Sequence, residues 1–472
     1  MHNSLFEVLG HWVAGTDSSR IPVEVVEVAK RAILDCVGVT IAGSRTPIAE
    51  LLDGYAAHAG EGPCTVITRL GRVHPEAAAF VNGAQGHALD FDDCTGSLGG
   101  HPSVAVLPAA LAMAEQQRVT GRELLTAYVI GFEVAAKLGR AVNFEHYDRG
   151  WHPTATLGVF GAAAAAAKLL RLDARTTATA LSIAASTAAG MKANFGTATK
   201  PMQAGRAAQN GIFAARLASL GADANTGAFE HEQGFGNLFN GAGRFDGERA
   251  VSAIENPWDL LDPGLIIKRY PCCASTHGAA DAAVQLHERL PSTSSVEAVH
   301  VWTHPRRLRH TDRPSVHTGF EAKFSVQYVV ARALHAGHVG LADFSPEALA
   351  EPAVASLMSR THAAPMPEER WGVDHFPAEV EVALTDGNRL QARVERPRGN
   401  GPHDALTDDE LRRKFDDCCR WGGLAEPMYQ QLASIVLRLE DMSSLDGLLA
   451  ALRPEREELG APASAPSAAT GR

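Results

Sequence analysis

The chain has 472 residues, more than one simple hydrophobic core accommodates, so two structural units are the starting expectation. Its 45% hydrophobic and 21% charged residues are ordinary globular composition, and a formal net charge of −11 excludes a nonspecific nucleic-acid binder or a protein drawn to anionic membranes. Aromatic residues are sparse at 6% while alanine abounds, which favours closely packed helices over sheets. The cysteines, at 36, 64, 94, 272, 273, 418 and 419, are odd in number and lack CxxC spacing, which predicts packed thiols in a reduced, cytoplasmic protein. Residues 1–10 show no basic segment leading into an apolar one, so no signal peptide is expected. No uncharged run reaches the roughly 20 apolar residues of a membrane span.

In chain order, residues 22–42 read as a helix, with Pro22 near the first turn and Val25, Val28, Ala29, Ala32 and Val37 as its stripe. Helices over 46–58, 75–87, 104–115 and 121–141 follow, with a short extended segment at 65–69. Between 87 and 103 two histidines and three aspartates crowd a Gly-rich loop: His87, Asp90, Asp92, Asp93, Cys94, Gly96, Gly99, Gly100 and His101. A polar turn ends in Trp151-His152-Pro153-Thr154, before helices over 156–170 and 174–191. Lys200 closes another polar stretch, and the helix 204–220 carries small residues at Gly205, Ala208, Gly211 and Ala215 for close helix approach.

The pattern changes after Leu265. Lys268-Arg269-Tyr270-Pro271-Cys272-Cys273 leads into a helix over 276–290 and a strand over 296–303. Strands at 380–384 and 390–394 are joined by Asp386-Gly387-Asn388, a tight-turn signal, and 324–334 and 345–358 read as helices. Residues 269–400 therefore form an expected α+β unit inserted in a helical protein, with helix resuming over 407–452 and a Pro/Ala/Ser/Glu-rich tail expected to be disordered.

Loop-to-helix junctions on a rigid scaffold are where sites are built. Here they offer His101 and His152, the carboxylates of Asp90, Asp92 and Asp93, the cations Lys200 and Lys268, and Arg206. Lysine and arginine suit the carboxylates of a small di- or tricarboxylic acid, and histidine can move a proton at the carbon beside one. The plainer reading is equally concrete: aspartates cap helices, a lone His before Pro is structural, and isolated lysines sit on surfaces. A metal site on Asp and His is a third reading, but no HxxE or facial-triad spacing stands out, so no metal is expected. Cys94 has no dedicated base in the spacing, and neither phosphate-loop pattern occurs.

Six ordered pieces then resemble the MmgE/PrpD family: Asn82-Gly83 with His87 to Asp93, His101-Pro-Ser through Glu115, Trp151-His152-Pro-Thr, Lys200-Pro through Arg206, Lys268 through Cys273, and Phe324-Ser-Val-Gln-Tyr328. The resemblance implies a mainly α fold, in which a large all-helical domain is built from both ends of the chain (1–268 and 401–455). A smaller α+β lid domain (269–400) is inserted, and a disordered tail (456–472) follows. It implies a homodimer without cofactor, with members that include 2-methylcitrate dehydratase, cis-aconitate decarboxylase and iminodisuccinate epimerase. It carries site roles onto Asp90, His101, His152, Lys200, Lys268 and Tyr328. It also marks Cys94 and Cys273, where the family's decarboxylases have Thr and His. The expectation is a cofactor-independent lyase, hydro-lyase first and carboxy-lyase or epimerase second. His101 or His152 shuttles the proton, Asp90 orients an imidazole, Lys200, Lys268 and Arg206 hold carboxylates, and Asp92 and Asp93 shape the loop. A non-catalytic metabolite binder is the remaining alternative.

Overall fold

The computed structural model describes residues 3–69, 71–252, 254–371 and 377–453. The chain forms two compact units. The first takes the described residues up to Ile267 and those from Leu411 onward; the second is Lys268–Glu410. The fold is mainly α. The tail expected over 456–472 lies outside the described residues. Among those described, no helix is long and apolar enough to cross a membrane.

The first unit is helical apart from a small antiparallel pair, β1 (Glu61–Thr65) and β2 (Arg72–Val73). Its first eleven α-helices are α1 (Leu5–Gly15), α2 (Val23–Gly43), α3 (Pro47–His58), α4 (Pro75–His87), α5 (Ser103–Gln117), α6 (Gly121–Val142), α7 (Glu145–Asp148), α8 (Pro153–Thr156), α9 (Gly158–Leu169), α10 (Ala174–Thr187) and α11 (Thr199–Ser219). Local chemistry sets their starts. Ser4 with Glu7, and Thr120 with Glu123, close capping boxes on α1 and α6, and Asp173 caps α10. α9 is buried on nearly every side, which its run of alanines permits. The small residues do what their size allows: a Cβ on Gly205 of α11 would stand 2.2 Å from the Phe80 carbonyl oxygen of α4, so these backbones touch.

The second unit holds a four-stranded sheet in the order β4 (Thr361–Pro365), β3 (Val296–Thr303), β5 (Ala378–Leu384), β6 (Arg389–Val394). β3 pairs β4 in parallel and β5 antiparallel, and β5 pairs β6 antiparallel. The Asp386-Gly387-Asn388 turn is there, with Gly387 at φ +89°. Val299, Val301, Val380 and Val382 form the core with the helices His277–His287 and Val326–Ala336.

Several expected boundaries moved for local reasons. The extended segment lies at Glu61–Thr65 rather than 65–69, because the chain turns after Thr65 with Thr68 at φ +68°. The expected helix 345–358 is two helices, Pro346–Leu349 and Pro352–Ser359, broken where Pro352 starts anew. Strand β4, Thr361–Pro365, carries no alternation that marks it and was not expected. α11 begins at Thr199 rather than 204, since Pro201 is tolerated in a first turn. Lys200 therefore stands on a helix.

Candidate active site

The loop between α4 and α5 is held at several points. Asp90 adopts a left-handed conformation, φ +53°, uncommon for a non-glycine and a mark of a position its surroundings over-determine. Cys94 pairs backbone to backbone with Ile266, through N–H···O distances of 2.9 and 2.8 Å. The Thr95 N–H donates to the Gly100 carbonyl at 3.1 Å, which pinches the glycine-rich turn shut. Asp93 accepts from the backbone N–H and hydroxyl of Ser103, and that hydroxyl also meets the Tyr128 hydroxyl at 2.6 Å. Burial and the nearby Asp35 push the Asp93 carboxyl well above its usual range. Asp93 thus shapes the loop, as its sequence position suggested.

A second chain segment is drawn to this loop. A Cβ on Gly100 would lie 2.7 Å from the Thr154 nitrogen, and the His101 N–H donates to the Thr154 hydroxyl at 3.0 Å. His152, two residues earlier and just before α8, is thereby placed against α4 and its terminal His87.

The result is a cluster of three imidazoles, two carboxylates and an ammonium. Asp92 is completely buried and joins two of the rings: His87 Nδ1 lies 2.8 Å and His101 Nδ1 3.1 Å from its Oδ2. His101 Nε2 stands 3.6 Å from Asp90 Oδ1, and Lys200 Nζ stands 2.9 Å from that same oxygen. The His87 ring meets the His101 ring edge-on at 4.7 Å and stacks on His152 at 5.6 Å. His152 Nδ1 lies 2.7 Å from Gln203 Oε1, and the Gln203 amide N–H donates to the Met191 carbonyl.

These partners assign the protons. His87 and His152 each carry hydrogen on Nδ1, so each Nε2 is an acceptor, buried and without a partner in the cluster. Burial lowers the His87 pKa to about 4 against the pull of Asp92, and burial, with the neighbouring Lys200 ammonium, takes His152 well below the ordinary value. Both rings are neutral at pH 7. Burial alone would raise Asp92, but His101 and His87 hold it well below the usual carboxylate range. His101 differs from the other two rings: it has a carboxylate facing each nitrogen, Asp90 at 3.6 Å and Asp92 at 3.1 Å. Exposure separates front from back. The side chains of Asp90, His101 and Lys200 are 28%, 15% and 15% exposed, whereas those of His87 and Asp92 are 0%. The accessible face is thus His101 Nε2 beside the Asp90–Lys200 pair, with Asp92 and His87 behind it.

The structure therefore brings together Asp90, His101, His152 and Lys200. Asp92, expected only to shape the loop, accepts from His87 and lies 3.1 Å from His101, while Asp90, expected to orient an imidazole, is bonded to Lys200 at 2.9 Å. His87 and Gln203 were not singled out; the signal for His87 was a histidine at a helix C-terminus five residues before Asp92. Arg206 is not brought to this cluster. It lies six residues beyond Lys200 on α11, a different face of the helix, exposed and donating to Gln209 at 2.7 Å. In the second unit, Lys268 is buried. The Cys273 N–H donates to the Lys323 carbonyl at 2.9 Å. Tyr328 is 1% exposed in that unit's core, its hydroxyl donating to the Asp343 carbonyl. His87, Asp90, Asp92 and His101 offer ligand atoms within 4.8 Å of one another, a set that could hold a divalent ion and that no spacing along the chain had shown. At Asp90 the Lys200 ammonium already supplies positive charge.

The chain is 30% identical over 468 residues to a mouse cis-aconitate decarboxylase, covering 96% of this chain and 94% of that one. It is 31% identical over 482 residues to a cis-aconitate decarboxylase-like protein of Aspergillus oryzae (95% and 97%), and 28% identical over 467 residues to a cis-aconitate decarboxylase of Aspergillus terreus (93% and 94%). The MmgE/PrpD N-terminal domain matches residues 7–248 and the MmgE/PrpD C-terminal domain residues 270–440. The chain belongs to the MmgE/PrpD family.

Proposed function

We propose that this lyase is a carboxy-lyase for a small unsaturated tricarboxylic acid of the cis-aconitate kind, working without a cofactor. The observation that carries the reading is His101 Nε2 on the open face of the cluster, 3.6 Å from the Asp90 oxygen that Lys200 also binds. In a β,γ-unsaturated acid the bond to the departing carboxylate breaks as CO2. Its electron pair becomes a new double bond, and the pair of the old double bond takes a proton at carbon. His101 supplies that proton and regains one from water. Lys200 holds a retained carboxylate and stabilises the charge that passes through it. The relatives that match nearly the whole length support decarboxylation over the hydro-lyase reaction that the sequence reading put first because it needs only a base, an acid and a carboxylate clamp.

A dehydratase reading has one observation of its own. His152 presents a neutral, unprotonated Nε2 and could take a proton from carbon while His101 gives one to a leaving hydroxyl. The family resemblance adds Lys268 of the second unit as a further carboxylate-binding cation, that unit as a lid, and a homodimer. The test is product identification by NMR with cis-aconitate, 2-methylcitrate and citrate, each with and without EDTA. Loss of CO2 from cis-aconitate, unaffected by EDTA, is expected. Water loss from 2-methylcitrate alone would replace the carboxy-lyase reading, and inhibition by EDTA reversed by a divalent ion would assign the cluster to a metal.

A further inference from the structure

We infer that Lys414 is a positioning residue for the active-site loop, acting through the peptide that separates Asp90 from Asp92. The inference rests on the functional reading of that cluster. Lys414 lies on the helix Asp408–Trp421, more than 300 residues along the chain from the loop, and its side chain is 3% exposed. Its ammonium donates to the Phe91 carbonyl at 2.8 Å, pairs with Asp35 of α2 at 2.6 Å, and lies over the Phe91 ring at 4.0 Å.

Phe91 stands between the two carboxylates that face His101. Asp90, before it, holds a left-handed φ of +53°, which costs free energy and persists only where neighbouring bonds enforce it. Asp92, after it, must point inward to both imidazoles. The orientation of the Phe91 carbonyl sets the plane of the Phe91–Asp92 peptide, and hence the direction in which Asp92 leaves the chain. A buried carbonyl must also find a donor, and Lys414 is that donor. On the far side the loop is fixed by Ser103 on Asp93 and by Ile266 on Cys94. Lys414 gives the segment that carries Asp90 and Asp92 a backbone anchor at its centre.

A plainer role would be neutralisation of Asp35 in the core, and the experiment separates the two. Lys414→Met is expected to lower kcat by about 100-fold with little change in KM, as a misplacement of about 1 Å at a catalytic group does. Asp35→Asn leaves the Phe91 bond and is expected to keep kcat near wild type. The double variant Lys414→Met/Asp35→Asn removes both charges; it is expected to recover melting temperature over Lys414→Met but not kcat. Recovery of kcat in the double variant, an equal loss of kcat in Asp35→Asn, or wild-type kcat in Lys414→Met would each overturn the inference. If the wild-type protein turns over none of the acids tested, the functional reading falls, and Lys414 is read instead from ring-nitrogen NMR. The His87 and His101 signals are expected to shift in Lys414→Met and not in Asp35→Asn; unchanged signals in Lys414→Met would overturn it.

Discussion

Asp92 is the residue on which the cluster turns. A buried carboxylate is costly to desolvate; the His87 imidazole donates to it here, and the His101 ring lies 3.1 Å away on its other side. His101 is then aimed by a group that never meets solvent, and its other nitrogen is left for chemistry. His101→Gln keeps the size and a hydrogen-bonding end but cannot transfer a proton, so kcat should fall by ~10²–10⁴ with the melting temperature preserved, since acid–base catalysis contributes about that much. CO2 release and a thermal melt on the same sample check this; wild-type turnover would remove His101 from the mechanism. Asp92→Asn should also depress kcat, by roughly 10–100-fold as for other residues that orient a working ligand, and should displace the histidine ring-nitrogen NMR signals. At this scale the sequence was partly legible. His101, His152, Asp90 and Lys200 showed as ionisable residues at loop-to-helix junctions. Which of three aspartates within four positions faces the imidazoles did not show, because that depends on the left-handed turn at Asp90 and the bond that Lys414 makes to Phe91.

At the scale of elements, the site is a product of backbone proximity between α4, α5 and α11. α4 ends in His87, α5 follows the His101 turn, and α11 brings Lys200. Gly83 and Gly205 sit where α4 meets α11; a Cβ on Gly83 would lie 2.9 Å from the Gly205 Cα. Because the Phe80 carbonyl is backbone and cannot rotate aside, Gly205→Ala should destabilise the protein by roughly 1–3 kcal/mol, the usual cost of overpacking. The displaced α11 should also lengthen the Lys200–Asp90 bond and reduce activity. A urea midpoint equal to wild type in the Ala variant would show that the helices do not approach so closely. Small residues at 205, 208, 211 and 215 announced a close helix neighbour, but nothing in them named α4 as that neighbour. Conversely, Pro and capping residues fixed most helix starts locally, and the missed strand β4 is a short edge segment whose conformation comes from pairing with β3.

For the molecule as a whole, buried neutral histidines make stability depend on pH. His146 is buried among Trp151, Phe235 and Phe239, with its nitrogens facing Asn240 and Thr156 at 2.9 and 2.7 Å. Burial lowers its pKa from 6.5 to about 4, against the Asn240 bond. The unfolded chain therefore binds a proton that the folded one refuses between those two values. The stability this gives is present above pH 6.5 and is lost as pH falls toward 4, at about 1.4 kcal/mol per pH unit. His146→Gln should make the decline of melting temperature across that window shallower, whatever its effect at neutral pH. A decline as steep as wild type would show that His146 takes up its proton without unfolding.

The sequence by itself determined the helices, the change of pattern after Leu265, the family, and the residue types available for acid–base and carboxylate chemistry. Each of these rests on local information: periodicity, caps, turns and motif order. Only the tertiary structure decided the pairings. Asp90 meets Lys200 across 110 residues and Phe91 meets Lys414 across 323. Those bonds follow from how buried helices stack and from where a desolvated carboxylate or carbonyl finds its donor, and no pattern within a short window carries that information. The loop from His87 to Ser103 was visible as a place where ionisable residues collect; its division into an accessible face and a buried support came from the packing behind it.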